Sequence, residues 1–232
     1  MLNKNILLIN DDIRNYIKTL PDNSIDIIIT DPPFNIGFDK KYDIDNDIFF
    51  EMIPEFYRVL KDNSWFIFWW SIKKIPEIYR IKEFIYKWQM ICVFHSTYSK
   101  CAVGDRTFAP IFVYCKGKKP KVVFRRADMV LAEELPIVQC KIRSGDFKPT
   151  IALSQLLLMF TKENDLVFDP FMGFGSMGMV CKLFNRRYIG VEVDKTRFKI
   201  AQKLINECKI TKPIPEMIEE FENKETKKNT LF

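Results

Sequence analysis

Two short stretches of this 232-residue chain hold residues whose types and order suit chemistry. The first is Asp31-Pro32-Pro33-Phe34, directly after the β-branched run SIDIIIT at 24–30. Two consecutive prolines fix φ and remove two N–H donors, so the loop is stiff and its carbonyls face outward. A carboxylate, a rigid carbonyl and an aromatic face are thereby presented together. An exocyclic amine on a nucleobase suits that set. Its two N–H bonds can be accepted by the Asp31 carboxylate and the Pro32 carbonyl while Phe34 stacks on the ring. Drawing on both hydrogens localises the nitrogen lone pair and makes the nitrogen a usable nucleophile. A proline-terminated strand with a capping Asp would read the same way, so this motif alone decides nothing.

The second stretch runs Asp169-Pro170-Phe171-Met172-Gly173-Phe174-Gly175-Ser176-Met177-Gly178. It contains G-x-G-x-x-G, and Glu192 follows at the end of the next β-branched run. Small residues let a ligand approach the backbone, and a carboxylate one strand further on can grip a ribose diol. Taken alone, the stretch fits NAD or S-adenosylmethionine equally well.

The elements that must position these residues alternate. Runs at 24–30, 64–70, 107–115, 165–169 and 187–193 read as strands. Segments 43–60, 73–87, 176–184 and 194–208 carry apolar residues at helical spacing, and Lys148-Pro149 opens a further helix before Asp165. Alternation of this kind predicts an α/β fold with a mostly parallel sheet. In such sheets ligands sit beyond the carboxyl ends of the strands, where both motifs fall. The WFIFWW run at 65–70 reads as core, and Met172, Met177 and Met179 read as packing residues. The predicted organisation is a single domain over 1–222, with 223–232 (NKETKKNTLF) as a tail.

Composition narrows the chemistry. The six cysteines form no C-x-x-C pair and His95 is the only histidine, so neither a Cys/His metal site nor a Ser-His-Asp triad is expected. His95 itself reads as structural or surface. No run approaches membrane-spanning length and the N-terminus lacks a signal-peptide pattern, so a cytoplasmic chain is expected. The net charge is +6, and residues 71–150 hold sixteen basic against seven acidic side chains. The densest cluster comprises Lys116, Lys118, Lys119, Lys121, Arg125 and Arg126. It reads either as a solvated loop or as a surface for phosphate backbones.

The two motifs together resemble the S-adenosylmethionine-dependent amino-methyltransferases of DNA. D-P-P-F ahead of V-F-D-P-F-M-G-F-G-S is similar to the circularly permuted motif order of their β class. Residues 8–12, 20–26, 57–62 and 147–150 extend the likeness over most of 6–209. The resemblance implies a Rossmann-like fold with helices on both faces of the sheet. It implies methyl transfer to N6 of adenine in double-stranded DNA, with the base flipped out of the helix. Asp31, Pro32 and Phe34 would hold the base and Pro33 would shape the loop. Asp169, Pro170, Phe171, Gly173, Gly175 and Ser176 would surround the methionine part of the cofactor. Glu192 would take the ribose hydroxyls, Asp11 would lie near the adenine, and Lys148 and Pro149 would flank the methionine end. No metal is implied. A target-recognition segment would occupy about 116–147, with Lys118, Lys119, Lys121, Arg125 and Arg126 on DNA. So short a segment implies a brief recognition sequence or help from a second subunit, and a cognate restriction endonuclease stays open. The chain departs from the pattern at Asn10, where the family usually has Gly, and at Ser176-Met177, where it often has Thr. N4 of cytosine is the nearest alternative target, though Asp31 leans toward adenine. An NAD-dependent oxidoreductase and a silent DNA-binding module are the more distant alternatives.

Overall fold

The computed structural model describes residues 5–34, 47–95, 99–118, 120–133 and 148–208. Among these residues ten strands lie in chain order: β1 (Ile6–Ile9), β2 (Ile25–Thr30), β3 (Leu60–Trp69), β4 (Ile85–Val93), β5 (Ser99–Cys101), β6 (Gly104–Arg106), β7 (Phe108–Lys116), β8 (Met129–Leu131), β9 (Leu166–Asp169) and β10 (Arg187–Val191). Eight of them form one sheet in the order β1-β10-β9-β2-β3-β7-β4-β8, and β5 and β6 make a separate hairpin. From β1 to β3 every pairing is parallel, while β7 runs antiparallel to both β3 and β4.

Burial on both faces explains the apolar strands. Alternate residues of a strand point to opposite sides of a sheet. Ile27, Ile29, Trp65, Ile67 and Trp69 accordingly join one core layer, under α4 (Thr150–Phe160), α5 (Ser176–Leu183) and α6 (Lys195–Glu207). Ile28, Phe66 and Phe68 join the other layer, under α1 (Ile13–Tyr16), α2 (Ile48–Glu51) and α3 (Ile53–Val59), and so does Ile25, across a register shift between Ile25 and Ile27. Every residue of 65–70 is buried, as are Met172, Met177 and Met179.

Two expectations about elements are corrected. Of the helix expected over 43–60, residues 43–46 lie outside the described residues, and the rest is two short helices that meet at Met52. The helix expected over 73–87 does not exist. A 3-10 helix spans Ile72–Arg80, with Pro76 inside and Lys74 kinked, and β4 begins at Ile85. Proline cannot donate the helical hydrogen bond and collides with the preceding turn, so an α-helix cannot run through it. The expected tail at 223–232 lies outside the described residues.

Candidate active site

The sheet order reverses direction between β9 and β2. From β9 the chain crosses through α5 to β10 on one side, and from β2 it crosses through α2 and α3 to β3 on the other. Such a switch point opens a crevice at the carboxyl edge of the strands. Four carboxylates stand at four successive strand ends there: Asp11 beyond β1, Glu192 beyond β10, Asp169 closing β9 and Asp31 beyond β2. At about 4.8 Å per strand the row spans roughly 14 Å.

Asp169 ties the crevice together. Its Oδ1 accepts a hydrogen bond from Thr30 Oγ1 at 2.7 Å and from the Phe171 amide at 3.3 Å, and its Oδ2 accepts from Tyr188 Oη at 3.2 Å. One side chain thus joins β2, β9 and β10 and shapes the turn after β9. Burial pushes its carboxyl up to about 7, and the nearby Asp31 charge acts in the same direction. Its three partners partly oppose that shift.

The glycine turn is held from the next strand. Glu192 is only 8% exposed, and its oxygens accept the Gly173 amide at 2.9 Å and the Asp194 amide at 2.8 Å. Burial raises its carboxyl above the ordinary range. Each oxygen keeps a second lone pair, so a diol can still be gripped. Gly173 sits at φ +56° with nothing within 4 Å of where a Cβ would project, so the turn borders open space. Gly175 serves packing instead. It caps α5 at φ +81°, and a Cβ there would meet Ile205 Cδ1 at 2.9 Å and Ala201 Cβ at 3.0 Å. Val193 follows Glu192 and is 64% exposed, an apolar surface beside the acid that no motif in the sequence marks. An open glycine turn, a buried acid and exposed apolar surface along one edge fit a nucleoside-containing cofactor with a charged tail.

Sequence departures acquire reasons. Asn10 Nδ2 donates to the carbonyls of Glu192 at 2.8 Å and Val193 at 3.3 Å, a clamp on the loop bearing Glu192 that glycine could not supply. Ser176, buried, is the first residue of α5. Phe171 leans on Phe49 and Phe56 of the second core layer. Asp11, exposed, accepts from Asn15 Nδ2 and the Asp12 amide. Pro149 caps α4.

On the other side of the crevice, Phe34 meets Trp70 edge to face with ring centroids 5.7 Å apart. Lys148 reaches this half of the site. Its Nζ lies 2.5 Å from Asp31 Oδ2 and 5.8 Å from the centroid of the Phe34 ring. Asp31, Phe34, Lys148, Asp169, Gly173 and Glu192 are therefore brought to one edge.

The basic cluster is not brought there. Lys116 is buried, its Nζ donating to Asn23 Oδ1 and to the carbonyls of Tyr57 and Leu60. It pairs with Ser64, near the amino end of β2 rather than its carboxyl end. Trp65 Nε1 holds the Lys121 carbonyl, and the Val123 and Phe124 amides donate to Met159 O in the last turn of α4. Lys118 and Lys121 thus lie along the amino edge, about 10 Å or more below the level of Thr30 at 3.3 Å per residue. Arg125 and Arg126 follow on the way to Asp128, which receives Trp88 Nε1 and the Ile91 amide on the outer flank of β4. Lys119 and 134–147 lie outside the described residues. At the carboxyl edge the β4–β7 ribbon continues upward instead. Phe94 N donates to Thr107 O, and the β5–β6 hairpin carries Lys100, Arg106 and, at its tip, Val103, which is 97% exposed. His95, exposed, pairs with Glu133 beside the same edge. Among the described residues no helix is long and apolar enough to cross a membrane.

A sequence model of the DNA methylase family matches residues 146–203, the stretch from Lys148 through Glu192 into α6. The type II methyltransferase M.HpaI of Haemophilus parainfluenzae is 27% identical over 227 residues, covering 82% of this chain and 71% of that protein. The crystal structure of an M1.HpyAVI–SAM complex superposes with a TM-score of 0.67 at 24% identity, over 87% of this chain and 99% of the other. PvuII DNA methyltransferase, described as cytosine-N4-specific, superposes at 0.71 with 16% identity, over 89% and 94%. In sequence and in fold the chain is thus similar to the DNA methyltransferases of the N6/N4 family, with the family model matching its glycine-turn half.

Proposed function

We propose that the protein transfers the methyl group of S-adenosylmethionine to the N6 amino group of adenine in a short, specific sequence of double-stranded DNA. One observation carries this reading: Thr30, the residue before Asp31, hydrogen-bonds Asp169, the residue that opens the glycine turn. The amine-holding loop and the cofactor turn are thereby fixed to each other across the switch point.

S-adenosylmethionine, when bound, supplies an electrophilic methyl group on its sulfonium. Glu192 grips the ribose, Gly173 leaves room for the tail, Val193 offers apolar surface to the adenine, and Asp11 closes that end. The chain's remaining task is to present a nucleophile. Stacked and paired adenine cannot offer its amine, so the base must leave the helix. Asp31 accepts one N–H and the Pro32 carbonyl the other, while Phe34 receives the ring. Hydrogen bonds aimed at charge that develops on the nitrogen lower the barrier, and in-line placement supplies the rest. The proton shed by the methylated nitrogen passes to water at the open edge.

Duplex DNA lies across the carboxyl edge in this reading. The β5–β6 hairpin, a two-stranded ribbon, has the width the major groove admits. Lys118, Lys121, Arg125 and Arg126, on the far edge and flank, add long-range attraction rather than base contacts.

Purified protein incubated with radiolabelled S-adenosylmethionine and plasmid DNA, followed by digestion to nucleosides, tests the proposal. Label in N6-methyl-2′-deoxyadenosine is expected. Label confined to N4-methyl-2′-deoxycytidine would transfer the same geometry to the other amine, and unlabelled DNA would overturn the reading.

A further inference from the structure

Lys148 and Asp31 both stand on the carboxyl edge, yet their contact leaves no place for a substrate on that side of the carboxylate. The Lys148 ammonium makes one of the contacts assigned to a target amine and stands by the ring on which the base would stack: it lies 2.5 Å from Asp31 Oδ2 and 5.8 Å from the centroid of the Phe34 ring. We propose that Lys148 is a placeholder, occupying the target-amine position while no base is present and yielding it when the flipped base enters. The proposal rests on the amine-holding role given above to Asp31 and Phe34.

Three features support a head that can leave. An ammonium and an exocyclic amine share their preferences, since both donate hydrogen bonds to a carboxylate and the ammonium is also drawn to an aromatic face. The lysine head rides on a flexible four-carbon stem. Its root, by contrast, is fixed, because Pro149 caps α4 and the residues that follow, Thr150 and Ile151, are buried. Ile151 N donates to Glu133 O at 3.0 Å. The head can therefore withdraw without moving the helix.

The site also has a reason to keep a cation. Asp31 and Asp169 stand at neighbouring strand ends, close enough for the charge of one to bear on the other. With no base present, Lys148 neutralises the more accessible of the two and holds it oriented. The incoming amine then replaces one donor with another, so Asp31 is never left without one. The cost is competition: the apparent affinity for the base is lowered by the fraction of molecules whose pocket the lysine fills.

The test uses the whole chain and a duplex bearing the methylation site, with 2-aminopurine next to the target adenine to report the loss of stacking when that adenine leaves the helix. Lys148→Met keeps the stem and removes the charge. Lys148→Arg keeps the charge and adds a fork that grips a carboxylate with two parallel bonds. The Met variant should raise 2-aminopurine fluorescence in the complex and lower KM for DNA by about threefold to tenfold, because the competing fraction is removed. The Arg variant should lower the fluorescence and raise KM. Both should leave the binding of S-adenosylhomocysteine within about twofold, an outcome that separates the placeholder from a cofactor contact. Equal fluorescence in all three proteins, or a fall with Met, overturns the proposal. If the Met variant does not fold, the Arg variant decides it alone, since a purely structural lysine predicts no change in base occupancy. A wild-type protein that methylates no base would overturn the functional reading and the placeholder together. Methylation with unaltered occupancy in both variants removes only the placeholder.

Discussion

Asp169 shows how one residue can be central to a site and still not handle the substrate. It is 5% exposed, and three hydrogen bonds direct its oxygens toward Thr30, Phe171 and Tyr188. Its position fixes the Asp31 loop relative to the glycine turn, which the proposed reading makes the base side and the cofactor side. A buried carboxylate whose folded pKa lies near 7, against 3.8 when exposed, binds a proton in the folded state that the unfolded state has already released between those values. Stability from this group is therefore present below about pH 4 and lost as pH rises to about 7. Asp169→Asn preserves the shape and removes the titration. Urea unfolding at pH 5 and pH 8 should show the Asn variant gaining on the wild type as pH rises, and a pH-independent difference would rule out this titration. At Gly173 the constraint is conformational, because φ +56° is a region L side chains rarely adopt. Gly173→Val should weaken S-adenosylhomocysteine binding by about tenfold or more, the order expected when a charged hydrogen bond such as that from the Gly173 amide to Glu192 is disturbed. Calorimetric titration measures it, and an unchanged dissociation constant would remove the glycine turn from the site.

At the scale of elements, the proposed reading separates DNA binding by edge. The hairpin at the carboxyl edge carries Lys100 and Arg106, and Lys118 and Lys121 lie on the amino edge. Removing one cation that neutralises a phosphate should shallow the slope of log affinity against log salt by about 0.9. Replacing Lys100 and Arg106 with Ala should therefore shallow it by about 0.9 or more, while the same change at Lys118 and Lys121 should move it by less than about 0.5. The opposite ranking, measured between about 50 and 200 mM salt, would put the duplex on the other edge. Elements also show what the sequence can tell. The runs at 24–30, 64–70 and 165–169 were legible because strands buried on both faces are apolar throughout. β4 was not, because its Ile85, Tyr86 and Trp88 are exposed and a bulge between Tyr86 and Trp88 breaks the alternation that marks a strand. The apolar spacing of Ile75, Ile78 and Ile81 then ran on into it as one false helix. Among site residues, Asp31, Asp169 and Glu192 stood out because each ends an apolar run. Thr30, Tyr188 and Asn10 did not, since their roles come from pairing between strands far apart in sequence.

For the molecule as a whole, the fold divides the labour along one edge. In the proposed reading β1, β10 and β9 hold the cofactor side, and β2 with Lys148 holds the base side. Asp31 is assigned wholly to the base, so it separates the two halves of the site experimentally. The most direct measurement pairs calorimetric S-adenosylhomocysteine binding with methyl transfer to duplex DNA for wild type and Asp31→Ala. Cofactor affinity should stay within about twofold of wild type while transfer slows by about 10²–10³, the usual loss when an acceptor acting at the transition state is removed. Transfer at the wild-type rate, or cofactor affinity abolished together with activity, would contradict the assignment of Asp31 to the base.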